Sequence, residues 1–320
     1  MSVNIAAYKL NEHIDVLIRT LDKGQCIGLP TETVYGLAAD ATNGEAVAGI
    51  FEMKDRPRFN PLICHVDGLA MARKHGKFNP IAETLANTFW PGPLTLVLPI
   101  QPASNIHDLV TANLSSVGLR CPKGIAGQII AAFGRPLAAP SANKSGKLSP
   151  SRAEHVADTF KETDLLIVDD GPCEVGLEST IVKIADDVIT ILRQGSITAE
   201  MIEACTKVIP AFPESSKIEA PCMIKSHNAP NAEIILESKA PPHDVAYLGF
   251  GSYGSQLPNK NVLNLSATGS LREAAANLYD YLQKLDKTAV SAIHVAPVPH
   301  TGLGLAINDR LNRAAAPRNS

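Results

Sequence analysis

The sequence predicts an α/β protein of two domains, and three observations carry that reading. Short apolar strands alternate with helical stretches along most of the chain. At 320 residues the chain exceeds the usual size of one domain, and 45% apolar residues suffice to fill two cores. Between about Thr206 and Asn231 the alternation stops, and four prolines, several serines and no sustained period read as a linker. The expected division is a first domain at 1–205, a linker at 206–231 and a smaller α/β domain at 232–320.

An amphipathic helix opens the first domain over 11–21, with Ile14, Leu17, Ile18 and Leu21 on one side. Strands are expected at Cys26 to Leu29, Leu62 to Val66, Leu94 to Pro99, Val117 to Arg120, Leu137 to Ala139, Leu165 to Asp169, Ser179 to Ile184 and Val188 to Leu192. Ser151 and Glu154 form a Ser-x-x-Glu capping box ahead of a helix over His155 to Phe160. The second domain reads as strands at Ala232 to Leu236, Asp244 to Phe250 and Val262 to Leu265, a helix from Ser270 boxed by Glu273, and a strand at Ala289 to Val295. Gly249-Phe250-Gly251 and Gly302-Leu303-Gly304 lack the third glycine of a dinucleotide fingerprint and read as turns.

A net charge of -3 argues against a surface built throughout for nucleic acid, while leaving room for a local basic cleft. The six cysteines never form CxxC, so reduced and mostly buried thiols are expected instead of a zinc knuckle or disulfide scaffold. No basic-then-apolar leader opens the chain, and no window approaches the ~20 apolar residues of a membrane span. The expectation is a soluble, cytoplasmic protein with no membrane partner.

Chemistry concentrates in polar loops that follow apolar strands, where open α/β sheets place ligands. Pro30-Thr31-Glu32-Thr33 is one such loop, and a polar turn is its plain alternative. Downstream, Lys54, Arg56 and Arg58 stand at spacing two around a proline. One cation at a helix C-terminus merely suits the dipole, but three on a stiffened loop suit an oligophosphate better. Arg120 ends an apolar strand and is as compatible with a carboxylate grip as with a structural role. His65, inside Leu62 to Val66, reads from its surroundings as a core residue. Ala139 to Gly146 offers Ser141, Asn143 and glycine backbone to a ligand, although no GxxxxGK[ST] cradle occurs anywhere.

Taken together, PTETVYGL, the Lys54 to His65 block K-x-R-P-x-x-N-P-L-I-x-H, WPGPLT at Trp90 to Thr95, the strand ending in Arg120, APSAN-x-S-G, SPSRAEHV, GLESTIV and ILRQG resemble the threonylcarbamoyl-AMP synthase family. They stand in that family's order over residues 1 to about 200, in its long two-domain form. The resemblance implies a twisted open mixed sheet of the YrdC-like kind followed by a smaller Rossmann-like α/β domain. It also implies synthesis of threonylcarbamoyl-AMP and pyrophosphate from L-threonine, bicarbonate and ATP with Mg2+. The labile product would pass to a separate tRNA threonylcarbamoyl transferase, with direct tRNA contact not required. By position, Lys54 and Arg56 are the expected catalytic pair holding phosphates, joined by Arg58. Ser116, Ser141, Asn143, Ser149 and Arg193 are expected around the rest of the nucleotide, and Thr31, His65, Arg120 and Ser179 around threonine. The magnesium ligands are not identified by the resemblance. For His65 it overturns the core reading.

The linker resembles a flap segment, roughly PGM-x-x-x-HYAP, that lies over the active site in the long form. Here Cys222 replaces the glycine and Asn228 the tyrosine, so Asn228 is expected to touch ATP more weakly than an aromatic ring would. Two rival readings follow from related proteins. A double-stranded RNA or tRNA binder without synthase activity is opposed by the charge and by an aromatic content of only 5%. A hydrogenase-maturation carbamoyl transferase would need zinc-binding cysteine pairs, which this chain lacks.

Overall fold

The computed structural model describes residues 3–6, 10–213, 229–239, 245–253 and 261–317. In chain order the first domain runs β1 (Val3–Ala6), α1 (Leu10–Asp22), β2 (Ile27–Leu29), β3 (Gly36–Asp40), α2 (Gly44–Lys54), β4 (Ile63–His65), α3 (Leu69–Ala72), α4 (Pro80–Phe89), β5 (Leu94–Pro99), α5 (Asp108–Thr111), β6 (Ser116–Arg120), α6 (Ile125–Phe133), β7 (Leu137–Ala138), α7 (Ala153–Thr159), β8 (Leu166–Asp169), β9 (Thr180–Ala185), β10 (Val188–Arg193) and α8 (Ala199–Thr206). The rest comprises β11 (Glu233–Ile235), β12 (Ala246–Gly249), β13 (Val262–Asn264), α9 (Leu271–Asp286), β14 (Ala292–Val295) and α10 (Leu303–Ala315).

The first sheet is mixed, with strand order β1-β8-β2-β3-β7-β4-β6-β5-β9-β10. One face is covered by helices: Leu17, Leu21, Ile50, Cys64, Leu119 and Ile129 share a core, and Leu85, Leu96, Val182 and Ile202 form another beside it. Side chains alternate along a strand, so the residues between these point the other way. That second face carries the small apolar cluster Ile63, Val97, Ile181 and Leu192. His65, Arg120, Thr95 and Ser179 share its pleat phase. The parallel β4–β6 register sets His65 opposite Arg120, and β5–β9 sets Leu94 opposite Thr180.

The second sheet is wholly parallel, in the order β11-β14-β12-β13. Its core joins Tyr247, Leu248, Ile293 and the apolar faces of α9 and α10, Leu278, Leu282, Ile307 and Leu311. Val34, Leu148 and Leu177 of the first domain enter the same cluster, so the two domains share apolar packing. No helix among the described residues is long and apolar enough to cross a membrane.

Several local expectations need correction. β1 and β3 were not anticipated; β3 reads GLAAD, whose glycine and alanines carry no strand preference, and its five buried residues are held by sheet pairing. The Ser151 capping box does not form. Arg152 takes the N-cap position of α7 without a side-chain bond; the Ser151 hydroxyl, one residue too early to cap, has no partner, and the Ser151 amide donates to His155 Nδ1 at 3.3 Å. At Ser270 half of a box forms: its hydroxyl accepts from the Glu273 amide at 3.4 Å, while the Glu273 carboxylate turns to Ser266. Gly249 ends β12, and Leu303 and Gly304 open α10 instead of a turn. A Cβ on Gly304 would lie 1.9 Å from the Pro299 carbonyl oxygen, so only glycine fits there.

Candidate active site

The site is built from loops on the uncovered face of the first sheet. After β2 the chain turns at Thr31, whose hydroxyl accepts from the amides of Thr33 and Val34 at 3.2 and 3.3 Å and lies 2.6 Å from the Val34 carbonyl. A ligand therefore meets Thr31 as part of a preformed turn. Helix α2 ends at Asp55, whose left-handed φ of 52° re-aims the chain. The Lys54 ammonium, buried, donates to the Ser141 carbonyl at 2.6 Å and to the Asn143 carbonyl, which draws the Ala139–Gly146 loop against the helix end. Arg56 is fixed by donating to the carbonyls of Asn60 at 3.2 Å and Pro61 at 2.9 Å.

These loops and strand ends enclose about 490 Å3 of empty space that opens to solvent. Thr31, Arg56, His65, Arg120, Ser141, Ser179 and Arg193, all anticipated from the sequence, line it. Lys54, Asn143 and Ser149 stand behind the lining. Asn143 bonds the carbonyls of Lys144 and Lys147, and Ser149 donates to Glu178 Oε1 at 2.7 Å. Arg58 is exposed and is not among the lining residues, and Ser116 opens β6 four residues before Arg120, also outside the lining. The structure does not bring those two into the cavity. Asn228 and Cys222 lie outside the described residues.

The electrostatics favour an anion. Three guanidinium groups, Arg56, Arg120 and Arg193, meet in the cavity. Arg193 is braced by Ser179, donating to its carbonyl at 2.9 Å and to its hydroxyl at 3.1 Å, and that hydroxyl lies 2.7 Å from Thr95 Oγ1. Arg120 donates to the Gly92 carbonyl at 3.3 Å and pairs with Glu32 at 2.9 Å, both side chains 5% exposed. Burial, then the adjacent Arg120 cation, push the His65 pKa down to about 3, so its imidazole is neutral, and its buried Nδ1 has no hydrogen-bond partner. A neutral ring with an open nitrogen beside a guanidinium is suited to a ligand carrying a carboxylate and a neutral polar group.

Two carboxylates were missed. Glu32 sits behind Arg120, and Glu178 lines the cavity itself, accepting from Ser149, from the Tyr279 hydroxyl at 2.9 Å and from Arg310 Nε at 2.8 Å. Burial would raise Glu178, but the pull of Arg310 and Arg193 and its hydrogen bonds hold it well below the usual carboxylate range. An acidic residue between Leu177 and a strand was the available signal. Its partner lies 132 residues away in sequence, beyond any local pattern.

Comparison with known proteins identifies the family. A family model described as telomere recombination, covering the Sua5, YciO and YrdC proteins, matches residues 19–195, and one for the C-terminal domain of threonylcarbamoyl-AMP synthase matches residues 197–316. The threonylcarbamoyl-AMP synthase of Bacillus subtilis is 38% identical, covering 93% of this chain and 91% of that protein. That of Pyrococcus abyssi is 37% identical over 92% of each. The crystal structure of P. abyssi Sua5 complexed with L-threonine superposes with a TM-score of 0.87 at 34% identity, covering 98% of this chain and 97% of that one. The chain belongs to the threonylcarbamoyl-AMP synthase family, in the form that carries both domains.

Proposed function

We propose that the cavity is where this threonylcarbamoyl-AMP synthase, acting as a nucleotidyltransferase, joins L-threonine, bicarbonate and ATP into threonylcarbamoyl-AMP and pyrophosphate. The observation that carries the reading is the meeting of Arg56, Arg120 and Arg193 with the neutral His65 in one cavity. Its substrates are a carboxylate-bearing amino acid and a polyphosphate, two anions that repel each other and need several fixed cations to lie side by side. The threonine carboxylate takes Arg120, while His65, Ser179 and the Thr31 turn surround the rest of that molecule. The phosphates take Arg56 and Arg193, with Lys54 behind. Ser141, Asn143 and Ser149 shape the loops around the nucleotide.

The amine nitrogen of threonine bonds to the carbon of bicarbonate with loss of water, giving a carbamate. A carbamate oxygen then bonds to the α-phosphorus as the phosphorus–oxygen bond to pyrophosphate breaks. The protein supplies no nucleophile; it aligns the two anions and neutralises the charge that develops on the leaving group. Magnesium, brought in with ATP, would supply further neutralisation of the phosphates. Glu178 is engaged by Arg310, Tyr279 and Ser149, and Glu32 by Arg120, so neither stands ready for a carboxylate cage. In the cluster Glu154, His155 and Asp280, the Asp280 carboxylate is likewise engaged by Arg152 and Lys284.

The product is a labile mixed anhydride and passes to a separate cytoplasmic transferase that modifies tRNA. A double-stranded RNA binder is not favoured, because Lys54, Arg56, Arg120 and Arg193 are all buried, out of reach of a duplex backbone. Pyrophosphate release from ATP and magnesium, with and without L-threonine and bicarbonate, tests the reading. Release that needs both supports it; release indifferent to threonine, or replaced by valine, overturns it.

A further inference from the structure

The second domain reaches the cavity through one carboxylate. Glu178 accepts from Tyr279 of α9 and Arg310 of α10, and Arg310 Nη2 also donates to the Gln194 carbonyl at 2.9 Å, next to Arg193. Gln283 of α9 donates to the Ser149 carbonyl at 3.1 Å. The approach is close enough that a Cβ on Gly176, already at a φ of +70°, would lie 2.5 Å from the Ala275 carbonyl oxygen of α9. So α9 and α10 grip the three segments that carry Ser149, Ser179 and Arg193.

Glu178 is a negative group on the wall of a cavity that takes polyphosphate. Its neutralisation comes from Arg310, which is 2% exposed and points at it from behind, away from the lining. The other cation that acts on the carboxylate is Arg193 on the same wall, one of the cations assigned to phosphate. A buried charge left without its partner seeks another or takes a proton, and either outcome changes what the ligand meets.

We propose that Arg310 and Tyr279 of the C-terminal domain are positioning residues for ATP, fixing the Glu178 carboxylate and neutralising it from behind so that the cavity wall keeps a positive potential toward phosphate. The proposal rests on the synthase reading for its ligand. It assigns the second domain a direct part in the site: the first domain's phosphate cations are electrostatically complete only with α9 and α10 in place.

The test measures ATP binding directly by calorimetry on the full chain, alongside turnover, for Arg310→Met, Tyr279→Phe and the double variant Arg310→Met with Glu178→Gln. Arg310→Met is expected to weaken ATP about tenfold or more, as removal of one partner from a buried charge pair does. Adding Glu178→Gln is expected to restore most of that loss, because the uncompensated charge is gone. A purely structural role predicts the reverse, since the double variant loses two buried partners and binds no better than the single one. Should Arg310→Met not fold, Tyr279→Phe removes one neutral donor and is expected to weaken ATP about threefold with little change in melting temperature. Unchanged ATP affinity in a folded Arg310→Met or Tyr279→Phe chain, or no recovery in the double variant, overturns the proposal. Direct binding separates this from the synthase reading, which fails instead if the unmodified chain binds ATP yet releases no threonine-dependent pyrophosphate.

Discussion

Two buried glutamate–arginine pairs flank the cavity and face it in opposite senses. In the first, Arg120 lines the cavity and Glu32 lies behind, with Glu32 Oε2 also accepting from the Lys123 amide at 3.1 Å. In the second, Glu178 lines the cavity and Arg310 lies behind. Both pairs are close and almost free of solvent, although only Arg310–Glu178 is also a hydrogen bond; the Arg120 Nη2–Glu32 Oε1 contact is ionic alone. Their difference lies in which member the ligand meets. The first presents a cation restrained by its partner; the second presents an anion whose field is cancelled from the other domain. A buried pair is weak evidence for stability, but its orientation determines the sign at the site.

The largest expected effect is at the first pair. Arg120→Ala removes the proposed carboxylate grip and leaves Glu32 buried alone, so kcat/KM for threonine should fall by ~1000-fold and stability by about 3–5 kcal/mol. Steady-state pyrophosphate release and chemical denaturation check both. If Arg120→Lys restores activity fully, the two-pronged grip is not what matters and the comparison breaks.

Next comes Arg56→Ala, which touches neither pair. Rate losses of roughly 10- to 1000-fold in kcat are expected from loss of one fixed cation, with KM for threonine little changed. A threonine KM that rises in parallel would show that phosphate and carboxylate cations do not act separately.

The pH dependence sharpens the contrast, since His65 sits beside the cation of the first pair. Its folded pKa of about 3 lies below the ordinary histidine value of 6.5. Between those limits the unfolded chain binds a proton that the folded chain refuses. The stabilising contribution is therefore complete above about 6.5 and is lost as pH falls toward about 3, with a slope of at most about 1.4 kcal/mol per pH unit for one proton. Denaturation midpoints of the unmodified chain and of His65→Asn across that range check it; equal slopes would remove His65 as the cause. The rate profile should meanwhile rise above neutral pH as the threonine amine loses its proton, with no inflection from His65.

The smallest effect serves as a control away from both pairs. Asn43 caps α2, accepting from the amides of Glu45 at 3.0 Å and Ala46 at 3.2 Å. Asn43→Ala should lower stability by about 1 kcal/mol while leaving ATP and threonine KM unchanged at a temperature where the chain stays folded. A shift in ATP KM would mean that the placement of Lys54, at the far end of α2, depends on how the helix begins.

Much of this was legible beforehand. Strand β5 is Leu94 to Pro99 as its apolar run dictates, and Arg193, Arg120 and His65 stand at or next to strand ends, where a polar residue interrupting an apolar run is visible. The loop at Thr31 and the one at Ser141 were readable from small polar residues after strands. Ser116 and Arg58 were assigned by position in a motif, and position does not report which way a side chain faces or how far along a strand a cavity extends. β3 was hidden because alanine and glycine take their strand conformation from neighbouring strands.

By itself the sequence determined the α/β class, the family and most of the polar groups at the site, because strand periodicity, loop composition and ordered motifs are local properties of a chain. Only the tertiary structure decided that Glu178 faces the cavity, that Arg310 and Tyr279 stand behind it, and that Lys54 is tied to the carbonyls of Ser141 and Asn143. Those are contacts between segments 87 to 132 residues apart. A carboxylate's partner, and hence its charge at the site, is set by whichever element folds against it, and no spacing along the chain encodes that.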